Sequence, residues 1–238
     1  MGRVTVAPSR RLILFLPAAG LSLVAAAWAG LVRMGWAWPV PLPYWPVAHG
    51  PLMVSGFLGT VITLERAVAW GAPWAYGGPV AAATGALLLL VGQGGAAAAL
   101  WLVAAGVLVG VYVAAYRKQP AEFTAVMGLG AVCWGVGTLL YGAGWPLARV
   151  VWWWVAFLVL TIVGERLELS RMRPPSPWRA RFLRGLVGVY VAALAASLLA
   201  PGPAGRLAGV SLAGLAAWLA RYDVARVTWR MPGWSSTV

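Results

Sequence analysis

The sequence predicts an all-α polytopic membrane bundle of about eight transmembrane helices, and three observations carry that prediction. Hydrophobic residues make up 62% of the 238 positions and charged residues only 10%, the balance of a chain whose solvent is lipid. Apolar runs of about 20 residues, enough to cross a hydrocarbon core of about 30 Å, follow one another with short Gly/Pro-rich or charged breaks. The alternating segments of about ten residues that mark a transmembrane barrel do not occur.

In chain order the expected spans are 12–32, 47–69, 77–92, 96–116, 121–143, 147–169, 182–200 and 204–222, the third and seventh being short. Ser9-Arg10-Arg11 ahead of Leu12 loosely resembles an export signal, yet no cleavage site leads into a soluble domain, so the segment reads as an uncleaved first span that Pro17 should bend. The whole chain, 1–238, reads as one transmembrane domain. The one cysteine, Cys133, sits in an apolar run and excludes an internal disulfide.

Charge sets the expected orientation. Of the 18 lysines and arginines only Arg33, Arg149 and Arg206 fall on one face; all the others, from Arg3 to Arg230 and including the one lysine, Lys118, share the opposite face. The positive-inside rule then places the rich face and both termini in the cytoplasm, as for a bacterial inner-membrane protein. The five acids, Glu65, Glu122, Glu165, Glu168 and Asp223, lie on that face as well. A net charge of +13 clustered at span ends points to anionic headgroups, so the partner is the lipid bilayer and not nucleic acid. The outer face has Trp36, Trp38, Trp45, Trp145 and the run Trp152, Trp153, Trp154, most of them expected in an interfacial belt.

An internal echo suggests a parallel 4+4 repeat. Phe57-Leu58 with Glu65-Arg66 recurs as Phe157-Leu158 with Glu165-Arg166, which sets span two and span six in the same orientation, with repeats at about 10–118 and 119–226 and a cytoplasmic tail at 227–238. Adjacent helical residues do not face each other, so Glu65 should pair poorly with Arg66, and Glu165 with Arg166. A pseudo-twofold axis would instead pair Glu65 with Arg166 and Glu165 with Arg66; the alternative is that all four snorkel to the interface. Close helix packing is expected at Ser55/Gly59, Gly106/Gly110, Ala131/Gly135, Gly188/Ala192 and Gly205/Gly209.

The candidate site is the outer end of span two. His49, the only histidine, precedes Gly50 and Pro51; near a helix N-terminus its imidazole is favoured neutral, able to coordinate a metal or accept a proton. Steps of three and four give Met53, Gly56, Thr60 and Thr63, a stripe with a thioether and little bulk that could receive a flat group. Haem or copper ligation by His49, with Met53 as a second donor, is one reading. A histidine hydrogen-bonded to a carbonyl, with Met53 and Gly56 simply packing, is the other. No phosphate-cradling loop or Ser-His-Asp set is present, so enzyme chemistry of those kinds is not expected.

The stretches His49-Gly50-Pro51-Leu52-Met53, Gly56-Phe57-Leu58-Gly59-Thr60 and Leu64-Glu65-Arg66-Ala67, together with Gly164-Glu165-Arg166-Leu167-Glu168 and Arg221-Tyr222-Asp223-Val224-Ala225-Arg226, resemble a group of bacterial membrane proteins distantly similar to the NnrS-type membrane haem proteins and, through them, to haem-copper oxidase bundles. The resemblance implies a haem- or copper-associated membrane protein, or a subunit of such an assembly, with His49 as its one family-like ligand. Such relatives are longer and carry more histidines, so this chain looks like a half-length version that a second membrane subunit or a homo-oligomer would complete. A small-molecule transporter or permeation module, and a structural accessory subunit, are the alternative expectations.

Overall fold

The computed structural model describes residues 10–170 and 176–222, with side chains from Phe15 onward. Ser9, Arg171, Arg173, Asp223, the end of the Arg221-to-Arg226 motif and the tail at 227–238 lie outside the described residues. Among the described residues there are eight helices and no strand: α1 (Arg10–Arg33), α2 (Trp45–Trp70), α3 (Gly77–Leu90), α4 (Gly94–Lys118), α5 (Glu122–Gly142), α6 (Leu147–Leu169), α7 (Pro177–Ala196) and α8 (Pro201–Tyr222).

Five of them, Phe15–Arg33 within α1 and all of α2, α4, α5 and α6, are long and apolar enough to cross a bilayer. The expected eight spans are therefore eight helices but five such crossings. With 14 residues, α3 rises about 21 Å, short of a core of about 30 Å. Three arginines, Arg179, Arg181 and Arg184, crowd the start of α7, and a Gly/Pro-rich turn with Arg206 opens α8.

The helices run up and down, and side-chain contacts mark the two ends. At one, Arg66 of α2 meets Glu165 and Glu168 of α6, Lys118 of α4 lies 5.8 Å over the Trp70 ring, and Arg184 of α7 meets Glu122 of α5 at 3.3 Å. At the other, Trp28 of α1 packs edge-on to Trp45, Tyr44 donates to the Leu89 carbonyl at the end of α3 (2.8 Å), and Gly50 abuts Leu147 and Trp154 of α6. So α2 and α6 point the same way, and the charged residues gather at one end.

Lipid provides no hydrophobic drive for helix association, so close approach depends on small residues and on side-chain hydrogen bonds. On α1 the buried face is Ala19, Ser22, Ala25, Ala26 and Ala29, a stripe at helical spacing that admits α2 and α3. Trp101 of α4 lays its indole against Gly85 and donates to the Ala82 carbonyl at 3.1 Å. One core joins α1 to α6; a second joins α5 and α6 to α7 and α8. The expected Ser55/Gly59 contact forms, with Trp134 as its partner, and Gly135 faces Ala105. Gly106, Gly188, Gly205 and Gly209 face open space, while Gly110 abuts the Trp74 ring, so of those pairs only Gly110 makes a close contact within this chain.

The tryptophan belt is smaller than expected. Trp36, Trp38 and Trp152 are exposed, but Trp45, Trp153 and Trp154 are buried. The adjacent positions of the Trp152–Trp154 run spread around a helix, and two of the three turn inward. Gly71 ends α2 in the left-handed region, φ 79°, with its N–H on the Ala67 carbonyl; the lack of a Cβ makes that helix stop cheap.

Candidate functional site

The first half of α2 is not a regular helix. Leu52–Leu58 forms a π-helical segment, closed by the Gly59 N–H on the Val54 carbonyl. Bonds from i to i+5 widen the turn, so residues three or four apart no longer stack on one face, and such segments concentrate at functional sites. The expected stripe from His49 is therefore rotated within this segment. The hydroxyls of Thr60 and Thr63 donate to the Gly56 and Gly59 carbonyls, each at 2.6 Å, which covers backbone acceptors where lipid offers no substitute.

His49 is half-buried against α1. Its Nδ1 lies 2.8 Å from the Ala26 carbonyl oxygen. A carbonyl can only accept, so Nδ1 holds a proton, and in the neutral ring Nε2 has the lone pair. The approach depends on Gly30: a Cβ there would sit 2.8 Å from Nδ1 and 3.1 Å from Cε1. A carbonyl on one ring nitrogen fixes both tautomer and orientation, the usual support of an imidazole that ligates through the other.

Of the other expected site residues, Met53 is half-buried and packs on the first core. The room expected beside Gly56 is taken. A Cβ there would stand 3.0 Å from the Ala86 Cβ and 3.3 Å from Ser22, so Gly56 is a three-helix contact and no flat group lies along it. Among the described residues no group of three or more His, Cys, Asp or Glu side chains is placed to hold a metal ion.

Against the π segment, Trp134 of α5 wedges between α2 and α6. Its indole N–H donates to Ser55 Oγ at 3.0 Å, its ring stacks on Phe157 with centroids 5.0 Å apart and planes at 10°, and its edge fills the space beside Gly59.

The C-terminal end of α2 carries an ionic cluster centred on Arg66. Its Nη2 lies 3.0 Å from Glu65 Oε1 and 3.4 Å from Glu165 Oε1, and its Nη1 lies 3.5 Å from Glu168 Oε2. The cross-span pair between Arg66 and Glu165 is present. The expectation that Glu65 and Arg66 pair poorly is corrected: a long guanidinium arm, at a helix end, reaches back to its exposed neighbour. Glu168 was missed, although it is three residues from Glu165 on the same helix face. Arg66 Nε and the hydroxyl of buried Tyr112 are buried and unpaired.

The arginine side chain is 14% exposed and its partners 35–55%, so its loss should cost more than the loss of any one carboxylate. Arg66→Leu is expected to lower stability by about 1–2 kcal/mol, between exposed and buried pairs. Glu165→Gln should cost less than half of that. Thermal unfolding in detergent at low and high salt reads both, and equal losses would overturn Arg66 as the shared centre.

Five helices able to cross a bilayer, in a chain that is 62% hydrophobic, make this an integral membrane protein of the helical class. The N-terminal end of α2 offers one oriented imidazole; its C-terminal end has an arginine shared by three carboxylates. The family described as Domain of unknown function (DUF8744) matches residues 11–236, and the chain belongs to it. No curated protein and no solved structure matches the chain.

Proposed function

We propose that the chain is a subunit of a haem- or copper-associated membrane assembly and contributes His49 as one ligand. The observation that supports this reading is the 2.8 Å contact of Nδ1 with the Ala26 carbonyl, which leaves Nε2 free to bind and keeps the ring from turning. The resemblance of the His49-to-Ala67 stretch to NnrS-type proteins points the same way. The chemistry of the donors limits the role. One imidazole, with Met53 packed on the core, leaves other coordination positions to donors outside this chain, which is why a subunit and not a self-sufficient haem protein is proposed. A bound haem or copper would supply electron transfer or small-ligand binding, while this chain holds and orients the imidazole.

A permeation path between α2 and α6 has less support, because Trp134, Phe157, Ser55 and Gly59 fill that space. By the positive-inside rule the Arg66 end faces the cytoplasm of an inner membrane, with both termini on that side. Labelling Arg149→Cys and Arg184→Cys with an impermeant thiol reagent reads the side directly: modification of the first alone in intact cells is expected, and modification of the second alone reverses the orientation.

The test of function is an absorption spectrum with metal analysis on the assembly isolated from native membranes in mild detergent. A Soret band or stoichiometric copper is expected, and its loss in His49→Ala. An isolate with neither, or a signal that His49→Ala leaves unchanged, overturns the proposal.

A further inference from the structure

At the end of the bundle where Gly50 meets Leu147, a cavity of about 410 Å³ opens among the start of α6, the end of α7 and the start of α8. Two of the three cations expected at this end, Arg149 and Arg206, line it, and neither meets a carboxylate among the described residues. Arg149 lies 5.6 Å over the Trp145 ring, at the level where aromatic side chains and headgroups meet.

Tyr190 also lines the cavity. It is 1% exposed, and its hydroxyl is buried with no hydrogen-bond partner. The hydroxyl is closed off from the cavity, and Tyr190 contributes only its ring to the wall. On α8, Gly202, Gly205 and Gly209 present a smooth groove to the same space; an added Cβ at any of them would meet nothing within 4 Å. Trp152, Leu198 and Leu212 complete apolar walls.

We propose that this cavity binds one anionic phospholipid from the leaflet at that end. The phosphate lies between the guanidinium groups of Arg149 and Arg206, and an acyl chain follows the glycine groove. Two cations without carboxylates favour a net negative headgroup over a zwitterionic one. The apolar walls and glycine face favour a lipid over a free phosphate, which would leave both bare.

The test is native mass spectrometry of the delipidated full chain, with phosphatidylglycerol or phosphatidylcholine of matched acyl chains added, and with inorganic phosphate as competitor. Two cations at the headgroup level predict retention of phosphatidylglycerol about thirtyfold over phosphatidylcholine. Arg149→Gln/Arg206→Gln should abolish that preference, and millimolar phosphate should not displace the lipid. Both arginines are exposed, and an unchanged thermal midpoint would show that the double variant folds. Equal retention of the two lipids, a preference that survives the double substitution, displacement by phosphate, or a chain dimer that excludes lipid would each overturn the proposal.

Discussion

Trp134→Ala is expected to destabilise the bundle by about 3–5 kcal/mol, the range of large aromatic deletions from a packed core. The side chain is fully buried and unites three helices: it stacks on Phe157 of α6, donates to Ser55 of α2 and lies against Gly59 where the π segment ends. Its removal leaves a cavity at mid-height and an unpaired Ser55 hydroxyl, with no hydrophobic drive in lipid to close the gap. Trp134→Phe keeps the stack and loses the hydrogen bond, so it should cost about 1–2 kcal/mol. Thermal or denaturant unfolding in detergent ranks the two. A Trp134→Ala loss below that of Trp134→Phe would show that the wedge is not what joins α2 to α6.

Gly30→Ala is expected to separate the proposed function from stability. The new Cβ would fall 2.8 Å from His49 Nδ1, so the ring must move and the bond to the Ala26 carbonyl must lengthen or break. A lost hydrogen bond costs about 1 kcal/mol, and alanine in place of a glycine in the last turn of α1 returns part of the roughly 1 kcal/mol it gains in a helix interior, leaving the unfolding midpoint little changed. Loss of the orienting contact should lower cofactor retention by about 10–100-fold. A second readout needs no cofactor: nitrogen NMR of His49 should find the proton fixed on Nδ1 in the parent chain and shared between tautomers in Gly30→Ala. If retention and tautomer are both unchanged, the carbonyl does not hold the imidazole.

The helices on either side of these residues were legible because their signal is local. Runs of apolar residues and the breaks between them predicted α2 over 47–69, found as Trp45–Trp70, and α6 over 147–169, found as Leu147–Leu169. The echo of Glu65-Arg66 at Glu165-Arg166 pointed to charged ends that meet, and Arg66 does meet Glu165. Local spacing misled where the helix was irregular. A stripe counted in threes and fours assumes 3.6 residues per turn, and the π segment at Leu52–Leu58 breaks that count between His49 and Thr60.

By itself the sequence determined the class, a helical membrane protein, together with the helix positions and the segregation of most of the charge to one end. These follow from composition and periodicity, which the bilayer enforces directly through the length and apolarity it requires. Only the tertiary structure decided that His49 bonds Ala26 beside Gly30, that Ala86 and Ser22 close off Gly56, and that Arg66 draws in Glu168. Each of these is a contact between helices distant in sequence, and in lipid such contacts rest on small residues and single hydrogen bonds, which leave no periodic trace in the chain.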